Sequence, residues 1–273
     1  MSPRARTIAL HAGLVVAAVL AAAPLLWMVS ASLMSPGEAN SSPPPLLPHK
    51  VTFEHYRALF TTLSLGRYLA NSLIIALGGT VLAVLITGMA GYAFAKLRFR
   101  GRQPVFRGLL AGMVIPGQVA MLPMFILLRE MGLINTLFGA MIPVLAPIYG
   151  IFLVRQYAAS IPDDLLNAAR IDGAGEFRIF RVVVLPALGP VLATLGVFTF
   201  LSAWNDFMWP LIVLSDDARY TLPVALANLT GEHVQDVELM MAGSVVTVLP
   251  VFLAFLFLQR YYIQGIMAGS VKG

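Results

Sequence analysis

Residues able to do chemistry are few in this chain, and their spacing argues against catalysis. The four histidines, His11, His49, His55 and His233, stand far apart and form neither a metal-ligand pair nor a nucleophile–base arrangement. Cysteine is absent, which removes disulfides, thiolate metal sites and a cysteine nucleophile. No GxxxxGKS or GxxxxGKT phosphate loop, HExxH pair or GxSxG elbow occurs, so no catalytic residue, metal site or nucleotide site is expected on the chain. Polar character of a different kind gathers in two places. One is the charged stretch LLNAARIDGAGEFRIFRVVVLP at 165–186. The other is the pair Asn205 and Asp206 inside the apolar run AWNDFMWPLIVL.

The setting of these residues is lipid. Hydrophobic residues make up 59% of the 273 and charged ones 11%, against roughly a quarter charged in soluble domains. Apolar runs of about 20 residues, bounded by charge or proline, predict six spanning helices at 7–33, 69–95, 105–128, 136–157, 187–214 and 239–258. Each must be helical, because an unsatisfied backbone group in hydrocarbon costs several kcal/mol. The first run is read as a span rather than a signal peptide, since it continues past the Ala21–Ala23 triplet to Leu33.

Basic residues set the orientation. With both termini inside, 13 of the 18 lysines and arginines fall in inner segments, led by the cluster KLRFRGRQPVFR after the second span. Lys50, Arg57, Arg67, Arg129 and Arg219 remain outside, with most of the acids. That cluster is read as an orientation signal facing membrane lipid, and no nucleic-acid partner is expected. The outer loop SPGEANSSPPPLLPHKVTFEHYRALF is predicted to be an extended strap followed by a short amphipathic helix, and REMGLIN a tight turn.

This topology places 160–186 inside, between spans four and five. Ser160 and Asp163 have the spacing of a capping box, with Pro162 in the first turn. Good helix formers run from Asp164 to Ile171, and Asp172-Gly173 ends them, glycine accepting the left-handed conformation. A second helix follows, AGEFRIFRVVVLP, with Phe177, Phe180 and Val184, and less closely Ile179 and Val183, near one face. Such a helix–turn–helix either lies on the headgroups or docks into a groove on a soluble partner. Asn205 and Asp206 likewise have two readings: lining a solute path, or capping and pairing with a partner while Trp204 and Trp209 sit as interfacial aromatics. Pro116, Pro123, Pro143, Pro147, Pro210 and Pro250 mark places where spans can break.

The ordered set NAARIDGAGEFRIFRVVVLPALGP, preceded by IPDDLL, resembles the cytoplasmic signature of permease subunits of binding-protein-dependent ABC importers. LSAWNDFMWPLIVL and the tail LQRYYIQGIMAGSVKG resemble the carbohydrate-uptake branch, of the type of the maltose importer's smaller permease subunit. The similarity covers essentially the whole chain. It implies an all-α membrane protein with six transmembrane helices, both termini inside, forming one permease domain over 1–273 with its coupling loop between helices 4 and 5. Asn167, Ala168, Ala169, Asp172, Gly173 and Ala174 become the ATPase-coupling residues, Asn167 standing where the family pattern usually has glutamate.

The implied partners are a homologous second permease, a dimeric cytosolic ABC ATPase that binds ATP and Mg, an extracytoplasmic solute-binding protein, and the lipid of the cytoplasmic (inner) membrane. The chain itself would carry no cofactor. The implied cargo is a sugar, such as an oligosaccharide of maltose or maltodextrin type. The alternatives are an ABC permease for a non-sugar solute such as glycerol phosphate, or a secondary transporter, which would want inverted repeats and more buried carboxylates.

Overall fold

The computed structural model describes residues 3–232 and 236–270; His233 and Lys272 fall outside them, as do the last three residues of the tail motif. Helices and irregular segments make up the described residues, with no strand among them. Helices α1 (Pro3–Ala31), α3 (Leu65–Lys96) and α14 (Val237–Ser270) are each long and apolar enough to cross a bilayer alone. At about 1.5 Å per residue the 29 residues of α1 exceed a hydrocarbon core of about 30 Å. The number of spans reaches six when three bent helix pairs are each counted as one.

The bends fall at some of the prolines that mark possible breaks and not at others. The third span consists of α4 (Arg102–Gly112) and α5 (Gly117–Glu130), turned by 110° at a break that ends on Pro116. The fourth joins the short α6 (Leu137–Met141) and a 3-10 turn at Ile142–Val144 to α7 (Ile148–Ala159), bent by 50° before Pro147. Proline lacks the N–H that would continue the ladder and pushes its predecessor out of the helical region. Pro123 and Pro250, by contrast, sit inside continuous α5 and α14. The third bent pair joins the helical stretch Glu176–Ala187 to α11 (Gly189–Trp204) at 79°, so the helix expected at 187–214 is preceded by a bend, and it is interrupted again at 205–207 before α12 (Met208–Val213).

Contacts divide the chain into two units. In the first, Met1–Gly66 with Ala225–Pro250, the strap and short helix α2 (Glu54–Thr61) appear as expected. Glu38 organises the strap by accepting from Ser35 N, His49 N and His49 Nδ1 at 2.6–2.9 Å. Glu238 is buried and accepts from Ala39 N at 2.7 Å. His55 is buried too, with Nε2 3.0 Å from Met34 O, so it is a core residue and no ligand.

The second unit, Arg67–Val224 with Val251–Gly273, carries the segment of interest. Within it α3, α7 and α11 approach closely because glycines remove side chains at the crossings. A Cβ at Gly91 would stand 2.7 Å from Val154 Cβ, and one at Gly150 would stand 2.8 Å from a Leu195 methyl. REMGLIN is the tight turn expected, with Gly132 and Asn135 both at positive φ. Asn135 Oδ1 also accepts from Ser215 N and Asp216 N, both at 3.1 Å.

Candidate functional site

The charged stretch folds as helix, glycine turn, helix. Helix α8 (Asp163–Ile171) ends in a Schellman arrangement: Ala174 N donates to Ala169 O and Gly173 N to Arg170 O, both at 3.0 Å. Gly173 has φ +81°, and nothing lies within 4 Å of where a Cβ would be. Glycine is therefore required here by backbone conformation, not by close approach of a neighbour. Asn167, Ala168, Asp172 and Gly173 are exposed, while Ala169 and Ala174 are half-buried against the chain's own core.

Two expectations fail locally. The capping box does not form, because Ser160 Oγ donates back to Tyr157 O at 2.8 Å and Pro162 takes the N-cap position. Asp163 is instead drawn to Lys96, 2.7 Å away. The second helix is α9 (Glu176–Ile179) continued by a π turn, Phe180–Val184, and α10 (Leu185–Ala187). The wider turn, with Leu185 N donating to Phe180 O, places Ile179, Phe180 and Val184 inside. Phe177 leaves that face and is 72% exposed.

What the sequence reading missed is how the segment is rooted. Leu166 is buried in a cluster with Tyr92, Val154, Ile161, Ile179 and Phe180, so one face of α8 is fixed to α3, α7 and the second helix. Lys96, the last residue of α3, donates to Ala159 O at 3.2 Å and Ile161 O at 2.6 Å besides its pairing with Asp163. Arg170 donates to Glu176 Oε1 at 2.8 Å and to Asn167 Oδ1 at 2.9 Å. Tyr92 OH donates to Glu176 Oε2 at 2.7 Å. Asn167 thus keeps a hydrogen-bonding role without a charge. The opposite face of α8 stays open, with Leu165, Ala168 and Ile171 along it and Ile171 87% exposed.

Hydrogen bonds from Lys96 hold the Asp163 carboxyl below its ordinary 3.8, and those from Arg170 hold Glu176 below 4.5 despite partial burial. A depressed carboxyl contributes its stabilisation fully above the ordinary value and loses it as pH falls through the lowered one. Amide-exchange protection of α8, corrected for intrinsic rates, is therefore expected to be flat from about pH 8 to 5 and to fall only below about pH 4. Hydrogen-exchange mass spectrometry across that range checks it.

In the fifth apolar run, Asn205 is exposed and Nδ2 donates to Leu201 O at 2.8 Å. Asp206 Oδ1 accepts from Trp209 N at 3.3 Å, so it helps to cap α12. Trp204 and Trp209 are not interfacial aromatics: each is 1% exposed, and Trp209 Nε1 donates to Gly139 O at 3.1 Å. Phe198, Ser202 and Asn205 follow one side of α11, and next to it lies a crevice of about 220 Å³ bounded by Pro143, Pro147, Tyr149, Leu195 and Thr199. Among the described residues no group of three potential metal ligands occurs.

Broken apolar helices that carry one braced helix–turn–helix with an open apolar face define a multi-pass membrane component. Residues 83–267 match the family of binding-protein-dependent transport system inner membrane components, and the chain belongs to that family. It is 37% identical over 259 residues to the arabinooligosaccharide transport system permease protein AraQ of Halalkalibacterium halodurans, covering 94% of this chain and 93% of that one. It is 33% identical to the diacetylchitobiose uptake system permease protein NgcG of Streptomyces coelicolor, covering 96% and 88%.

In structure it is similar to a bacterial ABC transporter involved in the import of the acidic polysaccharide alginate, with TM-score 0.83, 26% identity, and coverage of 96% and 98%. The chain is accordingly a non-catalytic, inner-membrane permease component of an ABC importer.

Proposed function

We propose that this chain is one of two permease subunits of an ATP-driven importer that carries an oligosaccharide inward, maltose and maltodextrins being members of that class. The observation that carries the reading is the open apolar face of α8, Leu165, Ala168 and Ile171, held on a root that ties it to α3 and α7. A dimeric cytosolic ATPase, binding ATP and Mg itself, grips this face and the matching face of a homologous second permease. Closure of the ATPase dimer draws the two helices together and rocks the helices above them, which admits solute from an extracytoplasmic binding protein. Hydrolysis resets the assembly.

The sugar assignment is supported by the names of the relatives and by the crevice beside α11. Tyr149 and Phe198 offer flat faces for the C–H side of a pyranose, and Thr199 and Ser202 offer hydroxyls in the crevice, with the exposed Asn205 following Ser202 at the end of the helix. Asn205→Ala is expected to raise the half-saturating solute concentration for uptake several-fold while ATPase copurification stays unchanged. Asp206→Asn should be nearly silent, since asparagine also accepts the Trp209 bond.

The decisive test is reconstitution of the complete complex in vesicles with its binding protein and labelled maltodextrins, arabinooligosaccharides, chitobiose and glycerol phosphate. ATP-dependent uptake of one or more oligosaccharides supports the proposal. Uptake of glycerol phosphate alone, or uptake without ATP, contradicts it.

A further inference from the structure

Between the end of α3 and α8, beside the hydrogen bonds that root the coupling helix, lies a cleft of about 860 Å³. Its lining includes four cations, Lys96, Arg98, Arg102 and Arg170, and two carboxylates, Asp163 and Glu176. Both carboxylates are already matched, Asp163 by Lys96 and Glu176 by Arg170. Among the described residues neither Arg98 nor Arg102 is in ion-pair contact with a carboxylate, although the charge of Arg98 is felt by Asp163. Arg102 uses only NH1, which donates to Leu97 O at 2.9 Å, and Arg98 is exposed.

The cleft opens beside an elbow with a mixed surface. Phe99 and Val105 are 44% and 53% exposed, and they alternate with Arg98, Arg100, Arg102 and Arg107 in the ten residues from 98 to 107. Exposed apolar side chains interleaved with arginines at the end of a spanning helix match the layered chemistry of a bilayer edge, acyl chain beside phosphate. Guanidinium forks bind phosphate oxygens in pairs.

We propose that the cleft formed by Arg98, Arg102 and the α8 residues Asn167 and Arg170 binds the phosphate of an anionic phospholipid of the inner leaflet. The bound headgroup bridges the elbow to the coupling helix and stiffens the root of α8. This rests on the orientation used above, but its readout is lipid retention, which succeeds or fails independently of what the importer carries.

The test uses the complete complex in nanodiscs of phosphatidylcholine with graded phosphatidylglycerol, followed by native mass spectrometry of the lipid retained on release. Wild type is expected to retain phosphatidylglycerol selectively. Arg98→Gln should weaken retention about fivefold, on the order expected for one basic residue at an anionic surface. Arg98→Lys should recover part of it, and Arg129→Gln, which alters an exposed arginine outside the cleft, should change nothing. Inorganic phosphate at millimolar concentration should not displace the lipid. Equal retention by wild type and Arg98→Gln, equal loss in Arg129→Gln, or displacement by free phosphate would each overturn the assignment, the last by making the cleft a soluble-anion site.

Discussion

Gly173→Val is expected to abolish ATP-driven uptake and to release the ATPase from the purified complex, while the chain still inserts in the membrane. At φ +81° an L side chain costs about 1–2 kcal/mol, and a β-branched one more, because Cβ meets the following carbonyl. Each 1.4 kcal/mol is a factor of ten in an equilibrium, so the correctly formed turn should fall tenfold or more in population. The cost is conformational, as nothing stands within 4 Å of the site. Gly173→Asn, which tolerates the left-handed region, should therefore keep substantially more uptake than valine does. If alanine, asparagine and valine all lost uptake equally, crowding by a docked partner rather than backbone strain would be limiting.

Lys96→Met should give the second large effect, and of a different kind. The ammonium satisfies two carbonyls, Ala159 O and Ile161 O, from a side chain only 9% exposed. Methionine fills the space and leaves both acceptors without this donor, a loss of about 3 kcal/mol at the junction of α3, α7 and α8. The pairing with the exposed Asp163 adds little to this. The docking face itself is untouched, so the ATPase should still copurify, whereas uptake per ATP hydrolysed should drop at least tenfold. Coupling ratio, measured as solute transported against phosphate released in the same vesicles, separates this outcome from the loss of binding expected at Gly173.

Particular residues show how far the chain could be read unaided. The Asp172-Gly173 break was legible because only glycine serves freely at positive φ, and the local pattern alone announces it. The apolar runs were legible because lipid demands them. The bends were only half legible: Pro116 and Pro147 stand at helix breaks whereas Pro123 and Pro250 sit inside continuous helices, and proline alone does not record which outcome follows.

Phe177 was misplaced because a π turn at Phe180–Val184 alters the helical period that the face was counted on. The capping box failed because Lys96, 67 residues away, competes for Asp163. Lys96 and Tyr92 were invisible as parts of the site for the same reason. Their partners at 159–163 and 176 are reached only through the packing of α3 on α7.

The open face of α8 and the exposed Phe177 form the proposed hold for the ATPase. A chain without cysteine allows a photocrosslinker to be placed at one position at a time. Ile171→Cys and Phe177→Cys, labelled in the complete complex, are predicted to crosslink to the ATPase subunit, and Leu47→Cys in the strap is predicted not to. Absence of the crosslink from both positions in a complex that still copurifies, or an equal yield from Leu47, would contradict the account.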